Sequence, residues 1–226
     1  MTDDRPTTDR AETALLELLA DHPLAEIRLA AIAERAGVSL ADLRAAYDGP
    51  LDILSGFARR IDVAVLAGDD PSMAGESRRE RLLDALMRRF DLLAPHRAGL
   101  AGLRRSARRD PVLAVHLGRL VIGSQAWILE AAGISSGGLL GRLRAPVLAA
   151  ALARLAPTFL ADEGEGLPKT MAALDAMLAD LERLERRARG VLARVPGCRP
   201  RAAEAPAEAP EPAAEANVDA VVRGFQ

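Results

Sequence analysis

The sequence contains few of the residues on which catalytic and cross-linked proteins depend. It has one cysteine, Cys198, and three histidines among 226 residues, which excludes an internal disulfide and a cysteine-cluster metal site. HExxH, GxSxG and a glycine-rich phosphate loop are missing, and the Gly137, Gly138 and Gly141 cluster follows no strand pattern. The sequence therefore predicts a non-enzymatic protein that uses no cofactor and no metal.

Aromatic residues are also scarce, at 3% of the chain, although apolar residues make up 50%. The core must then consist mainly of Leu, Ala and Val. Leu and Ala are strong helix formers, whereas strands favour the scarce aromatic and the β-branched residues. We predict an all-α protein, and its net charge of −2 supplies no global attraction to nucleic acid or to an anionic membrane.

Long apolar runs are interrupted by charge. The four interrupting residues are Arg119, Arg142, Arg144 and Arg154, and no uninterrupted run reaches the roughly 18 residues that a membrane span needs. The opening MTDDRPTTDR is acidic and polar where a secretory signal is basic and then apolar. These features, with the single cysteine, predict a soluble cytoplasmic protein.

The most informative stretch runs from Leu29 to Leu54. Apolar residues at helical spacing end at Gly37, which permits the left-handed conformation that terminates a helix, and Ser39 then caps a second helix with inward-facing Leu40, Leu43 and Tyr47. Two short helices joined by such a turn form a helix-turn-helix. The predicted core of this motif consists of Ile32, Ala33, Ala36, Gly37, Val38 and Leu43.

The run IAERAGVS, from Ile32 to Ser39, with Tyr47 in register downstream, resembles the signature of TetR-type transcriptional regulators. The resemblance implies a TetR-like fold, in which an N-terminal three-helix unit with the helix-turn-helix is followed by a C-terminal helical bundle. It also implies an operator DNA partner, a small apolar ligand and a homodimer formed through the last two long helices. The implied DNA-contacting residues are Arg28, Ser39, Leu40, Ala41, Arg44 and Tyr47.

Three positions depart from this signature. Arg28, Arg44 and Pro50 stand where the family usually has a capping Thr, a Tyr and a Lys. The segment from Arg10 to Arg60 holds six arginines and eight carboxylates, so it is acidic where a DNA-binding unit is usually basic. Two interpretations of Arg44 remain open: it contacts phosphate or guanine, or it pairs with Asp48 at i,i+4 within a scaffold helix.

The helical periodicity and the punctuation by Gly and Pro divide the chain into four parts. These are a disordered tail at 1–9, a helix-turn-helix domain at 10–67, a ligand-binding and dimerisation domain at 77–195, and a disordered Ala/Pro/Glu-rich tail at 196–226. Nine helices are predicted, at 10–21, 29–36, 40–47, 50–67, 78–93, 96–108, 111–132, 139–161 and 167–195. Pro146 and Pro157 should bend or divide the eighth. The apolar residues Val218, Val221, Val222 and Phe225 form a possible docking element at the end of the tail.

A ligand pocket is predicted within the C-terminal bundle. Its proposed lining is Phe90, His116, Leu120, Trp127, Leu152 and Phe159, with His116 and Gln125 as polar groups. Plain core packing explains the same apolar residues. Ten arginines between Arg78 and Arg109 form either a solvated helical face or a surface for anionic lipid headgroups.

The runs RERLLDALMRRFDLLAPHRAGL and PKTMAALDAML resemble the lipid-binding accessory proteins of ubiquinone biosynthesis. These share the TetR fold but bind isoprenoid lipid instead of DNA. The sequence thus leaves three functions open: a ligand-responsive transcriptional regulator, a lipid-binding accessory protein and a structural dimer without ligand. An acidic N-terminal unit is compatible with the second.

Overall fold

A computed structural model describes residues 6–68, 71–135 and 137–192. This part of the chain forms nine α-helices and no strand, which confirms the all-α prediction. The helices are α1 (Thr7–Asp21), α2 (Leu29–Ala36), α3 (Leu40–Ala46), α4 (Pro50–Ala67), α5 (Arg78–Leu93), α6 (Arg97–Ala107), α7 (Pro111–Ala131), α8 (Gly138–Leu160) and α9 (Pro168–Leu192).

The N-terminal helices share one apolar core. Leu15 and Leu19 of α1, Ile32 of α2 and Ile53 of α4 are all fully buried, and Leu43 of α3 joins them. Helix α1 contacts α2, α3 and α4, so it forms the support on which the two short helices rest. Burying an aliphatic side chain contributes about 1.5–3 kcal/mol, and this shared core therefore fixes α3 relative to α1.

Two glycines allow this N-terminal unit to lie directly against α6. A Cβ atom at Gly102 would lie 1.6 Å from the carbonyl oxygen of Leu19, and one at Gly99 would lie 2.2 Å from that of Leu16. Only a residue without a side chain fits at either position. The backbones of α1 and α6 are thus in direct contact, which couples the N-terminal unit to the rest of the protein.

The remainder of the protein is built from α5, α7, α8 and α9, where α7 packs on α8 and α8 packs on α9. Phe90 of α5 meets Phe159 of α8 with ring centroids 4.9 Å apart. Helix α8 continues through Pro146 and Pro157, so neither proline divides it. Leu148, which is buried in the stretch between the two prolines, packs into the same core and supports the uninterrupted helix.

Most predicted helix ends agree with the structure. Ser77 caps α5 by accepting the Glu80 amide (3.2 Å), and Asp110 caps α7 by accepting the Leu113 amide (3.0 Å). The predicted start of α1 at Arg10 is wrong, because the helix begins at Thr7 after Pro6. Positions 7–9 therefore belong to α1 and not to a disordered tail, whereas the predicted end of α9 at 195 and the tail at 196–226 lie outside the described residues.

Two helices carry far more apolar surface than the described part of the protein covers. Pro111–Ala131 and Leu140–Leu160 are long and apolar enough to cross a membrane by length and composition alone, contrary to the prediction from uninterrupted runs. Core helices of soluble proteins also have this composition, but only 28% of the apolar 18-residue stretch in each helix is buried. Both α7 and α8 therefore present apolar faces outward.

Candidate nucleic-acid interface

The corner between α2 and α3 forms as the sequence predicts. Gly37 adopts the left-handed conformation, with φ 63°, and the Val38 amide donates to the Ala33 carbonyl (3.0 Å). This bond satisfies one of the free carbonyls at the end of α2. Val38 is half-buried and packs against the shared core, so the turn directs α3 away from α2 at a defined angle.

A capping box starts α3. The Ser39 hydroxyl accepts the Asp42 amide (3.0 Å) and donates to Asp42 Oδ2 (2.7 Å). Both hydrogen-bonding functions of the hydroxyl are thus used within the helix, and a phosphate contact by Ser39 would have to replace one of them. Arg28 caps α2 without a side-chain bond, as expected when a cation takes the place of a hydroxyl.

The outward face of α3 presents Leu40, Ala41 and Arg44. Leu40 is 54% exposed, so its predicted inward orientation is wrong, whereas Leu43 is buried as predicted. Helix α3 has only seven residues. Leu43 reaches the shared core, whereas Leu40, in the first turn, lies outside it. Residues at i, i+1 and i+4 lie together on one face of a helix, and this face is the surface available to a DNA groove.

Arg44 forms the i,i+4 pair with Asp48, just beyond the end of α3, that was one of its two interpretations. Its Nη1 lies 2.5 Å from Asp48 Oδ1 and 3.3 Å from the Tyr47 carbonyl oxygen. The side chains of Arg44 and Asp48 are 71% and 84% exposed. An ion pair this exposed contributes only about 0.2–1 kcal/mol, so Arg44 can exchange Asp48 for another anion at little cost.

Tyr47 is half-buried and is hydrogen-bonded within the N-terminal unit. Its hydroxyl donates to Glu12 Oε1 (2.8 Å), and Arg60 Nε donates to Glu12 Oε2 (2.6 Å). Burial raises the pKa of Tyr47 above its ordinary value, and the hydrogen bond to Glu12 and the charge of Glu12 raise it further. Its ring packs against the core and its hydroxyl ties the end of α3 to α1, so the predicted DNA contact by Tyr47 stays a prediction that would require the hydroxyl to leave Glu12.

The sequence analysis did not single out Glu12 and Arg60. Glu12 is almost completely buried, although a carboxylate is rarely buried without a partner. A signal was present in the helical periodicity, since Glu12 precedes Leu15 and Leu16 by three and four residues and so shares the buried face of α1. Its partners Tyr47 and Arg60 come from α3 and α4, too far along the chain for any local pattern to connect them.

The six residues of the predicted ligand pocket do not line one cavity. Phe90, Leu152 and Phe159 are buried in the core, whereas Leu120 and Trp127 line a surface groove of about 530 Å³ between α4 and α7. This prediction of a single pocket is wrong because α7 contacts both α4 and α8. Its apolar residues are therefore divided between a surface side and an interior side.

His116 also contacts α4 instead of a ligand pocket. Its Nε2 lies 3.1 Å from the Leu51 carbonyl oxygen and 3.2 Å from Ser55 Oγ. Ser55 donates its own proton to the Leu51 carbonyl (2.8 Å), so both groups face His116 as acceptors. We infer that Nε2 carries the ring proton, and the resulting bonds link the body to the first turns of α4.

Gln125 is the unusual polar group of the body. Its side chain is fully buried on α7, and neither its Oε1 nor its Nε2 has a hydrogen-bond partner within the described part of the protein. Leaving a buried polar group unpaired costs about 1–3 kcal/mol. The amide thus offers the two N–H donors of its nitrogen and the acceptor oxygen to any molecule that enters the interior of the bundle.

The ten arginines between Arg78 and Arg109 are not simply a solvated face or an anion-binding surface. Arg89 binds Asp62 and Ser124 between three helices, and Arg88 donates to the Val65 carbonyl (2.9 Å). The others with interhelical partners are Arg79 on Asp175, Arg81 on the Ala132 carbonyl, Arg97 over the Phe159 ring and Arg105 on the Ala20 carbonyl. For these six, both predictions are wrong, because the guanidinium groups hold neighbouring helices together.

Comparisons with known proteins identify the fold. No protein-family model matches the sequence, and no curated protein matches it significantly. Solved structures do match. The TetR transcriptional regulator from Nitrosomonas europaea ATCC 19718 superposes with a TM-score of 0.63 and 22% identity, over 79% of this chain and 99% of that one.

Two further structures give the same result. A TetR transcriptional regulator from Rhodococcus sp. RHA1 matches with a TM-score of 0.54 and 17% identity, over 77% of this chain and 94% of that one. A putative TetR-family regulator from Rhodococcus sp. matches with a TM-score of 0.51 and 21% identity, over 76% and 98%. The chain therefore has the TetR regulator fold that the sequence motif predicted.

Proposed function

We propose that this chain is a cytoplasmic, dimeric, TetR-like transcriptional regulator that binds operator DNA through α3 and responds to a small apolar ligand. The observation that carries the proposal is the outward face of α3, where Leu40, Ala41 and Arg44 are presented on a helix fixed by a corner and a cap. A recognition helix needs both exposure and a rigid orientation to read a major groove. The similarity in fold to TetR regulators supports the same function.

Arg44 is the residue on which sequence recognition depends. As the only cation on the α3 segment, between Leu40 and Ala46, it is the side chain of this face able to form a bidentate contact with guanine or a bond to phosphate. Its exposed bond to Asp48 competes with DNA. The proposal therefore requires that Arg44 release Asp48 on binding, and the affinity should be modest and strongly dependent on salt.

Dimerisation through α8 and α9 would place two α3 helices on one face of DNA. The apolar residues Leu143 and Val147 of α8 and Met171 and Leu184 of α9 are exposed in the single chain. A second copy would cover them. The two recognition helices must then lie about 34 Å apart to enter successive major grooves, and a ligand that favours another spacing would release the DNA.

Gln125 supports the ligand part of the proposal. A molecule that carries one carbonyl or hydroxyl group on an apolar frame would form a hydrogen bond with the buried amide. Its apolar part would contact the apolar side chains around it. Gln125→Leu should raise the free energy of unfolding by about 1–3 kcal/mol, because it removes an unpaired buried group. Urea denaturation of the variant and the wild type measures the difference, and a loss of stability would show that the amide has a partner.

A fluorescence anisotropy titration tests DNA binding. The probe is labelled duplex DNA from the region flanking the gene that encodes this chain, and the competitor is unlabelled duplex of scrambled sequence. Arg44→Ala should abolish sequence-dependent binding. Arg183→Ala is a control, because Arg183 is an exposed arginine paired with Asp180 on α9 and lies outside α3. Since α9 belongs to the proposed dimer surface, analytical ultracentrifugation checks that this variant assembles as the wild type does.

The proposal fails if the wild type does not bind DNA at micromolar concentration in low salt, or if Arg44→Ala binds as well as Arg183→Ala. Lipid extraction with mass spectrometry tests the alternative function. A copurifying isoprenoid together with absent DNA binding would replace the regulator by the lipid-binding accessory protein. Six of the ten arginines that could have bound anionic lipid headgroups instead contact neighbouring helices, so they do not support that alternative.

A further inference from the structure

The groove between α4 and α7 is an apolar surface that no other described part of the protein covers. Its apolar lining includes Ala58, Val63 and Leu66 from α4 and Leu120 and Trp127 from α7. Val63 is 59% exposed and Trp127 is 64% exposed. A tryptophan this exposed leaves a large apolar area in water, and exposed apolar patches on monomeric proteins usually mark interaction sites.

The groove carries positive charge on both walls. Arg59 of α4 and Arg119 of α7 line it, and neither forms an ion pair within the described residues, whereas the carboxylate in the groove is already neutralised. That carboxylate, Asp62, is bound by Arg89 and accepts the Ser124 hydroxyl (2.6 Å). The groove thus has an apolar floor and two available cations, which together suit an occupant that is both apolar and acidic.

A segment of this same chain has that chemistry. Residues 215–226, here called the tail segment, read EANVDAVVRGFQ. Its large apolar residues are Val218, Val221, Val222 and Phe225, at the i, i+3, i+4 and i+7 spacing that forms one stripe of a helix. On that helical wheel, Glu215 and Asp219 lie beside the stripe as an i,i+4 pair. Arg223 follows Asp219 at i,i+4, so the tail segment has a net charge of −1 and would present an apolar face whose acidic edge is centred on Glu215.

The connection is long enough for the tail segment to reach the groove. Twenty-six residue steps separate Leu192, the last residue of α9, from Val218. An extended chain of that length spans up to roughly 85 Å, at about 3.3 Å per residue, whereas a domain of this size has a radius of gyration of about 16 Å. The intramolecular connection also gives the segment an effective concentration in the millimolar range, so a weak interaction suffices.

We propose that the tail segment binds in the α4–α7 groove of its own chain. Val218, Val222 and Phe225 cover Trp127 and Val63, while Glu215 and Asp219 pair with Arg59 and Arg119. The bound segment bridges α4, which follows the helix-turn-helix, and α7 of the body. This interaction does not depend on DNA binding, and its test does not use DNA.

Trp127 is the only tryptophan in the chain and therefore reports on the groove directly. The full-length protein is compared with the double variant Val218→Asp/Val222→Asp by tryptophan emission and by acrylamide quenching, since acrylamide is neutral and insensitive to the two arginines. The matched control is Ala207→Asp/Ala209→Asp, which adds the same charge to the tail outside the segment. All substitutions lie beyond the described helices, and circular dichroism confirms that the helical content is unchanged.

In the wild type and the control, the covered indole should emit at shorter wavelength and its quenching constant should be lower than in the double variant, because docking covers part of a side chain that is 64% exposed. Arg59→Glu/Arg119→Glu should release the segment in the same way. Combining it with Glu215→Arg/Asp219→Arg should restore the protection, which a merely structural role of either arginine would not explain.

Equal emission and quenching in the wild type and Val218→Asp/Val222→Asp would overturn the proposal. Protection that disappears when the wild-type protein is diluted would also overturn it, because that result assigns the groove to the tail or surface of a second copy. Protection that is independent of protein concentration and lost only in the segment variants supports binding within one chain.

Discussion

Asp48→Asn offers a direct test of how α3 uses Arg44. In the free protein Asp48 holds the Arg44 guanidinium at 2.5 Å and adds a negative charge next to the surface that would meet phosphate. The substitution removes both effects and preserves the size of the side chain. The Asp48 amide keeps its own bond to Asp52 Oδ2 (3.0 Å), so the turn before α4 remains intact.

The size of the effect follows from the exposure of the pair. Both side chains are more than two-thirds exposed, so losing the pair should change the free energy of unfolding by no more than about 0.5 kcal/mol. Removing the competition for Arg44 should strengthen DNA binding by a similar amount, and removing the repulsion should add to it. We expect affinity to rise about two- to fivefold at low salt, since 1.4 kcal/mol corresponds to tenfold.

Anisotropy titrations over a series of salt concentrations measure this prediction. Because Arg44 contacts DNA in both proteins, the slope of log K against log salt should change by much less than the value of about 0.9 that one whole phosphate contact contributes, and the gain should appear in the affinity at low salt. Asp180→Asn is the control, because it removes an exposed acid from a surface pair on α9, away from α3, and its oligomeric state is compared with that of the wild type in the same buffer. If Asp48→Asn and Asp180→Asn bind alike in both affinity and slope, Arg44 does not contact DNA and the assignment of α3 as a recognition helix fails.

Two further predictions concern stability. Tyr47 is the only tyrosine, so absorbance at alkaline pH should show it ionising above the usual pKa of about 10. Because folding raises the pKa of Tyr47, its contribution to the free energy of unfolding should be fully present below about pH 10 and be lost as the pH rises above that value. The variant Tyr47→Phe should not show this loss. An ionisation midpoint near the usual value of about 10 in the wild type would contradict the bond to Glu12. Gly102→Ala should lower the free energy of unfolding by about 3 kcal/mol, because the new methyl group overpacks against Leu19. Gly118→Ala, in open space on α7, should raise it by up to about 1 kcal/mol. Urea denaturation measures both values, and equal effects would refute the close crossing of α1 and α6.

The structure also shows where sequence analysis reaches its limit. The helix ends at Gly37, Ser39, Ser77 and Asp110 were predictable because each cap involves residues within a few positions of one another. The start of α1 was missed because Pro6 begins the helix without a side-chain bond, so the usual capping residues Thr8 and Asp9 gave a false boundary. Local capping signals identify helix ends only where the helix uses them.

The candidate site was only partly predictable for the same reason. Leu43 was placed correctly by helical spacing, because it faces the core, and the i,i+4 pair with Asp48 was one of the two interpretations left open for Arg44. Nothing in the sequence indicated the bond between Tyr47 and Glu12, because Glu12 lies 35 residues earlier in the chain. The predicted pocket failed because periodicity shows that a residue lies on an apolar face but does not show which neighbouring helix that face meets.

By itself, then, the amino-acid sequence determined the helical class, the corner at Gly37 and the cap at Ser39, because propensities and caps act between residues that are close in the chain. Only the tertiary structure decided that Tyr47 faces Glu12, that Gln125 is buried without a hydrogen-bond partner among the described residues and that Trp127 lies in an open groove. These outcomes depend on how helices cross. Crossing is set by backbone contacts such as that between Gly102 and Leu19, which join residues remote in sequence.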